Sequence, residues 1–290
     1  MLQLDIQFFS PIKKIHKHTN SNKKGDLPLN RLKLFIPAVT VHGQDIFGRN
    51  ARIKFSAHEN PGWYWQCGNE VVPITSDLAS YQNRRITLRY KKHILEIYEH
   101  IGALRWTGLD GIIVKSPKFP PYFGRVAETW NTLRPCCKKT GDKISWVIPR
   151  EACFHAEGDR SISISPNGLD ELIMSIFLDI KGIGSNVTTY KMPSPLDSIF
   201  EARALGQPNY FYYLSKFLRF WGWPHHENAT WKQKDSPEEL LQKISLHRVT
   251  DLLGALSLVT HDRLVSGETV SIKGGHRIDI EMIKKLQLNH

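Results

Sequence analysis

Long apolar runs are missing from this sequence. None approaches the roughly 18 residues that a membrane-crossing helix needs, and the first residues lack the apolar stretch of a secretory signal. Cysteines at zinc-knuckle or redox spacing are missing too: the four are Cys67, the adjacent Cys136 and Cys137, and Cys153, with no C-x-x-C among them. That excludes the common dithiol motifs and reads as reduced thiols in a chain that folds without disulfide staples. The expected location is the cytoplasm. Acidic residues are also in short supply, 28 Asp and Glu against 39 Lys and Arg, for a net charge of +11. Such a balance suits polyanions, whether nucleic acid, an anionic membrane surface or a nucleotide-linked molecule, although its commonest meaning is solvated Lys and Arg.

What is present suffices for a folded protein: 290 residues with 41% hydrophobic content can form one large core or two ordinary domains. Pro11 to Asp26 (PIKKIHKHTNSNKKGD) is basic, polar and aperiodic, so residues 1–28 read as a disordered basic arm, a transit peptide being the alternative. Beyond it the pattern is β-rich, with strands expected over Arg31 to Val41 and Ala51 to Ser56 about a His42-Gly43 turn. Lys91 to Leu104 places Ile94, Leu95, Tyr98, Ile101 and Leu104 at helical spacing and leads into the apolar strand Gly108 to Lys115. Pro, Gly and charge interrupt the pattern at Arg134 to Asp142, which sets a boundary between units 29–138 and 139–290. The second unit repeats the order of the first: strands near Lys143 to Ile148, Ser161 to Ser165 and Glu171 to Ile180, then a helical region from about Ser194 to Trp221. Ser236-Pro-Glu-Glu239 forms a capping-box start for a long helix to about Val259.

That helix has an apolar stripe interrupted by His247 and Asp251, one turn apart on one face. Burying an imidazole and a carboxylate side by side is costly unless each has a partner, and a shared divalent ion supplies one. Taken alone, an H-x-x-x-D pair is more often hydrogen-bonded or solvated. Glu99-His100 on the earlier helix is equally ambiguous, since a surface face shared with Lys91, Lys92, His93 and Glu96 explains it as well. His276 follows Gly274-Gly275, where a simple turn is the default reading.

In chain order, however, Glu-His on a helix, His-x-x-x-Asp on a second long helix and then Gly-His resembles the UDP-3-O-acyl-N-acetylglucosamine deacetylases of lipid A biosynthesis. Tyr98 to Val114 (YEHIGALRWTGLDGIIV), with Asp110, is similar to the family's Glu-His helix and following strand. Leu246 to Leu256 (LHRVTDLLGAL) and Val270 to Leu286 are similar to its metal-binding helix and the loop beyond it, and Lys33 to Ser56 to its opening strands. The resemblance thus runs from about residue 30 to the C-terminus. It implies an α+β fold of two similar layered α/β sandwich domains with the active site in the cleft between them. It also implies one zinc ion (Zn2+) on His100, His247 and Asp251 with a position left open for water, Glu99 as general base, and His276 as oxyanion stabiliser or acid. The implied substrate is a nucleotide-linked N-acetyl amino sugar, with possible peripheral contact to an anionic membrane and no nucleic acid partner. Arg248, Ala204 and Phe123 stand at substrate-facing positions.

Four positions depart from the family pattern. Ala255 replaces the acid expected to orient His276, and Ala204 replaces an oxyanion-binding Thr, a loss worth about 3 kcal/mol of transition-state stabilisation. Arg248 replaces Lys, and Phe123-Gly124-Arg125 stands for an Asp-Gly-Ser turn. Two further readings therefore stay open: a zinc-stabilised, non-catalytic relative that binds an anionic ligand or nucleic acid, and a deacetylase of another amino-sugar conjugate. Tyr210 to Trp223 (YFYYLSKFLRFWGW) reads first as core, with a stacking surface, acyl passage or membrane interface as alternatives. Cys153-Phe154-His155 and His225-His226 form no complete ligand set.

Overall fold

The computed structural model describes residues 29–180, 183–202 and 236–289. The basic arm, Ala204 and the aromatic stretch 210–223 lie outside the described residues. The fold is mixed α+β, mostly sheet with a few helices. Its first part comprises β1 (Asn30–Leu34), β2 (Ala38–Gln44), β3 (Asn50–Ala57), β4 (Trp63–Cys67), β5 (Glu70–Pro73), β6 (Ala79–Gln82), β7 (Arg85–Tyr90), β8 (His93–Leu95), α1 (Tyr98–Ala103), β9 (Ile112–Lys115), α2 (Ala127–Leu133) and β10 (Cys137–Lys143). There follow β11 (Trp146–Val147), β12 (Cys153–Glu157), β13 (Arg160–Ser165), β14 (Leu172–Ile180), β15 (Gly184–Met192), α3 (Asp197–Phe200), α4 (Pro237–Leu256), β16 (Leu264–Val265), β17 (Gly267–Ile272) and α5 (His276–Lys285).

Two five-stranded sheets share one plan. The first has the order β2-β3-β9-β4-β5 and the second β12-β13-β17-β14-β15. In each, two antiparallel hairpins flank a central strand contributed last, antiparallel to one hairpin and parallel to the other. Period-two burial builds both: Trp63, Trp65 and Cys67 face inward from β4, and Leu172, Met174, Ile176 and Leu178 from β14. Strand β17 inverts the usual pattern, burying Thr269 and Ser271 and leaving Val270 and Ile272 partly exposed.

Several boundaries differ from the sequence reading. His42-Gly43 lies within β2, and the chain reverses at Asp45–Arg49, where the Asp45 carboxylate accepts from Phe47 N and Arg49 N at 2.8 and 3.0 Å. The apolar spacing over 91–104 divides into β8 and the short α1, because Ile97 takes a left-handed conformation (φ 60°, ψ 40°) between them. A β-branched residue in that region costs roughly 1–3 kcal/mol and marks a position fixed by its surroundings. Strand β10 runs across residues 138 and 139 and pairs with β1 in a separate two-stranded sheet. Of the helical region expected after Ser194, the described residues contain only α3. The four cysteines are unpaired, and among the described residues no helix is long and apolar enough to cross a membrane.

The long helix α4 is the central element, buried at every residue from 247 to 256. Its capping box is formed on both sides: Ser236 Oγ accepts from Glu239 N, and Glu239 Oε2 accepts from Ser236 N at 2.9 Å. Ser236→Ala should therefore lower stability by about 1 kcal/mol, seen as a lower urea midpoint at unchanged slope. Past its C-terminus the buried Arg105 donates to the carbonyls of Ser257, Thr260 and Arg263, satisfying acceptors that the helix cannot. Trp106 Nε1 adds a bond to Leu253 O at 2.7 Å.

Candidate metal centre

The crossing of α1 over α4 builds the site. A Cβ on Gly254 would lie 2.0 Å from the Glu99 carbonyl oxygen, and one on Gly102 would lie 2.8 Å from the Gly254 carbonyl oxygen, so two glycines set the contact distance. This brings Glu99 and His100 from α1 against His247 and Asp251 from α4. Gly254→Ala places a methyl group into a backbone atom that cannot move aside. The expected result is a loss of about 3 kcal/mol or more, measured by chemical denaturation, together with weakened metal retention.

One ligand atom from each of His100, His247 and Asp251 lies within 4.8 Å of the other two, the reach of a single ion. The His100 and His247 rings meet edge-on, 5.2 Å between centroids at 81°. His247 Nδ1 lies 3.2 Å from the Ala202 carbonyl, which can only accept, so Nδ1 carries a hydrogen and Nε2 is the ring nitrogen turned to the cluster. Nε2 lies 3.3 Å from Asp251 Oδ1, a buried oxygen with no hydrogen-bond partner. A proton on Nε2 or a metal ion bound by both atoms satisfies this buried contact. His100 is held neutral: burial, then the His247 ring, pushes its pKa down to about 3. Burial favours the neutral form of Asp251, but His247, His276, His100 and Arg248 together outweigh it and keep the carboxylate below the usual range. Neutral imidazoles and an ionised carboxylate are the states that ligate metal.

Glu99 and His276 stand beside this cluster. Ile86 N, on β7, donates to Glu99 Oε2 at 2.9 Å and fixes the carboxylate, while Oε1 lies 3.7 Å from His276 Nε2. Burial raises the Glu99 pKa to about 7; His276 opposes the rise and Asp251 adds to it. His276 opens α5, its Nε2 also 3.8 Å from Asp251 Oδ2. Its Nδ1 is buried without a hydrogen-bond partner, and Ala255 offers it none. The surface-face explanation of Glu99-His100 does not hold, because Glu96 is buried and paired with Arg85 at 3.0 Å and Lys118 at 3.5 Å.

The five residues read as metal ligands, base and acid are thus brought together. Arg248 is adjacent but turns away, its Nη2 donating to the fully buried Asp279 on α5. Phe123 lines a recess of mixed character beside His100, with Ile97, Ile101, Pro121, Arg125 and Thr129. Asp110 holds structure instead of facing the site: it accepts from Gly62 N at 2.6 Å and pairs with Arg31 at 2.9 Å. Two neighbours escaped the sequence reading. Tyr122 stacks on His100 with centroids 5.5 Å apart at 18°, and no sequence signal marks it beyond the Pro120-Pro121 that precedes it. Asp279 sits three residues after His276, where its charge looks like an ordinary first-turn acid. No protein-family model matches the sequence, and no curated protein matches it.

Proposed function

We propose that this chain is a zinc-dependent amidohydrolase that removes the acetyl group from an N-acetylated, nucleotide-linked acyl amino sugar in the cytoplasm. The observation that carries the reading is the cluster of His100, His247 and Asp251, with one ligand atom from each within 4.8 Å of the others and the buried Asp251 Oδ1 without a hydrogen-bond partner, an arrangement suited to a cation. The donor set of two imidazoles and one carboxylate fits zinc with a coordination position to spare. The same set also suits non-haem iron, but the buried Glu99 and the half-buried His276 flanking it favour hydrolysis. The two layered units that this reading requires, with the site in the cleft between them, are supported by the matching strand orders of the two five-stranded sheets. Ligands drawn from α1 on one side and α4 on the other fit the same scheme.

A zinc ion held by His100, His247 and Asp251 would supply Lewis acidity toward water and the acetamide carbonyl. Glu99, with one oxygen tied to Ile86 N, accepts the water's proton on the other as the oxygen attacks the carbonyl carbon. The C–N bond then breaks and the proton passes to the departing nitrogen, giving acetate and a free amino sugar. His276 steadies the negative charge that develops on the carbonyl oxygen. The Tyr122 ring fixes one face of His100.

Acetate release from a panel of N-acetyl amino sugars, with and without a UDP group and a 3-O-acyl chain, tests the reading. Turnover confined to nucleotide-linked acylated members is the expected result; no turnover of any member by zinc-loaded protein overturns it. A second reading, a zinc-stapled relative that binds an anionic ligand, draws on the unpartnered His276 Nδ1 and on Ala255. It predicts retained zinc, no acetate release, and anion binding that weakens steeply with salt.

A further inference from the structure

The Arg248–Asp279 pair joins the two helices that carry the chemistry. Arg248 is 6% exposed and Asp279 0%, and the pair bridges α4, one residue past His247, to the first turn of α5, three residues past His276. Asp279 N also bonds Gly275 O at 3.1 Å, closing the turn that begins at His276. The surroundings are built for the pair. Gly274 sits close against the pair: a Cβ would lie 2.1 Å from Ser271 Oγ and 2.8 Å from Arg248 Nη2, so either side chain would have to shift. Strand β17 buries Ser271 and Thr269 here in place of the apolar residues that its neighbours bury.

On energetic grounds the pair is a poor way to hold two helices together. Arg248 Nε and Nη1 and Asp279 Oδ2 have no hydrogen-bond partner, so desolvation of both ions is only partly offset. A buried pair left unsatisfied on three atoms is weak as a stabiliser, and apolar residues of similar volume would pack at equal or lower free energy. What the pair does provide is direction. A guanidinium–carboxylate contact fixes the rotation of α5 about α4, and with it the point from which His276 projects toward Glu99 and Asp251.

We propose that Arg248 and Asp279 are positioning residues that set His276 over the metal cluster, replacing a direct side-chain contact to His276 Nδ1. Arg248 then serves the site from behind its wall and does not touch the substrate. The rate consequence rests on the amidohydrolase reading; the structural consequence does not.

The test uses the full-length, zinc-loaded protein and the paired variant Arg248→Met with Asp279→Leu, chosen to keep volume and to avoid leaving one ion unpaired. Long-range histidine 1H–15N spectra, assigned with His276→Ala, report the imidazoles directly. The expected result is an unfolding midpoint equal to or above the parent's, unchanged His100 and His247 signals, and a His276 signal that is split or broadened. Acetate release should fall about 10²-fold in kcat with little change in KM, the scale of a misplaced catalytic group. In a His276→Ala background the same pair of substitutions should cost nothing further. An unchanged His276 signal overturns the proposal, as does an equal loss of rate in the His276→Ala background. If the parent protein releases no acetate, the function reading fails, and the histidine spectra still decide this one.

Discussion

Glu99→Gln is expected to lower acetate release by roughly 10²–10⁴-fold while leaving metal content and fold unchanged. The amide keeps the size of the side chain and an oxygen able to accept from Ile86 N, so the packing of α1 against α4 has no reason to change. What disappears is the capacity to take a proton from water. The position is suited to that task because burial raises the carboxyl pKa to about 7, where it can both accept and return a proton near neutrality. Glu99→Ala should be as inactive and also less stable, since it leaves the Ile86 amide buried without an acceptor. Full activity in Glu99→Gln, with zinc at parental level, would remove Glu99 from the mechanism.

The second large effect concerns the ligands. Asp251→Ala or His247→Ala should abolish stoichiometric metal binding, and each apo variant should match the chelated parent in thermal stability. Metal that binds only the folded chain stabilises it by mass action, so the parent's midpoint should fall on chelation and recover when zinc is returned. The Asp251 variant has a second signature: without its anion, His247 and His100 face each other with no negative charge between them, so the cluster loses its attraction for any cation. Retention of metal by both variants would mean that the ion binds elsewhere.

Helix spacing made parts of the site legible, and only the resemblance in their order along the chain joined them into one set. The i, i+4 arrangement of His247 and Asp251 and the adjacency of Glu99 and His100 are one-dimensional signals, and the capping box at Ser236 marked where the long helix begins. The remainder depends on contacts between distant segments. Gly43 looked like a turn residue, yet it is small because the Phe123 ring lies 2.6 Å from where its Cβ would be. The helical periodicity before α1 fitted a strand equally well until the left-handed Ile97 divided it. Tyr122 and Asp279 have no motif; each matters only through what folding places beside it. The polar inner face of β17 inverts the usual polarity of the alternation, with Thr269 and Ser271 buried and their hydroxyls unpartnered, which no local pattern announces.

The central claim is that His100, His247 and Asp251 hold one catalytic zinc ion. Elemental analysis of the purified parent protein beside Asp251→Ala tests it most directly. The predicted result is about one zinc per chain in the parent and close to none in the variant, with the parent's metal removable by chelator. A parent protein that binds no divalent metal at stoichiometry, or one that holds iron in place of zinc, would contradict it.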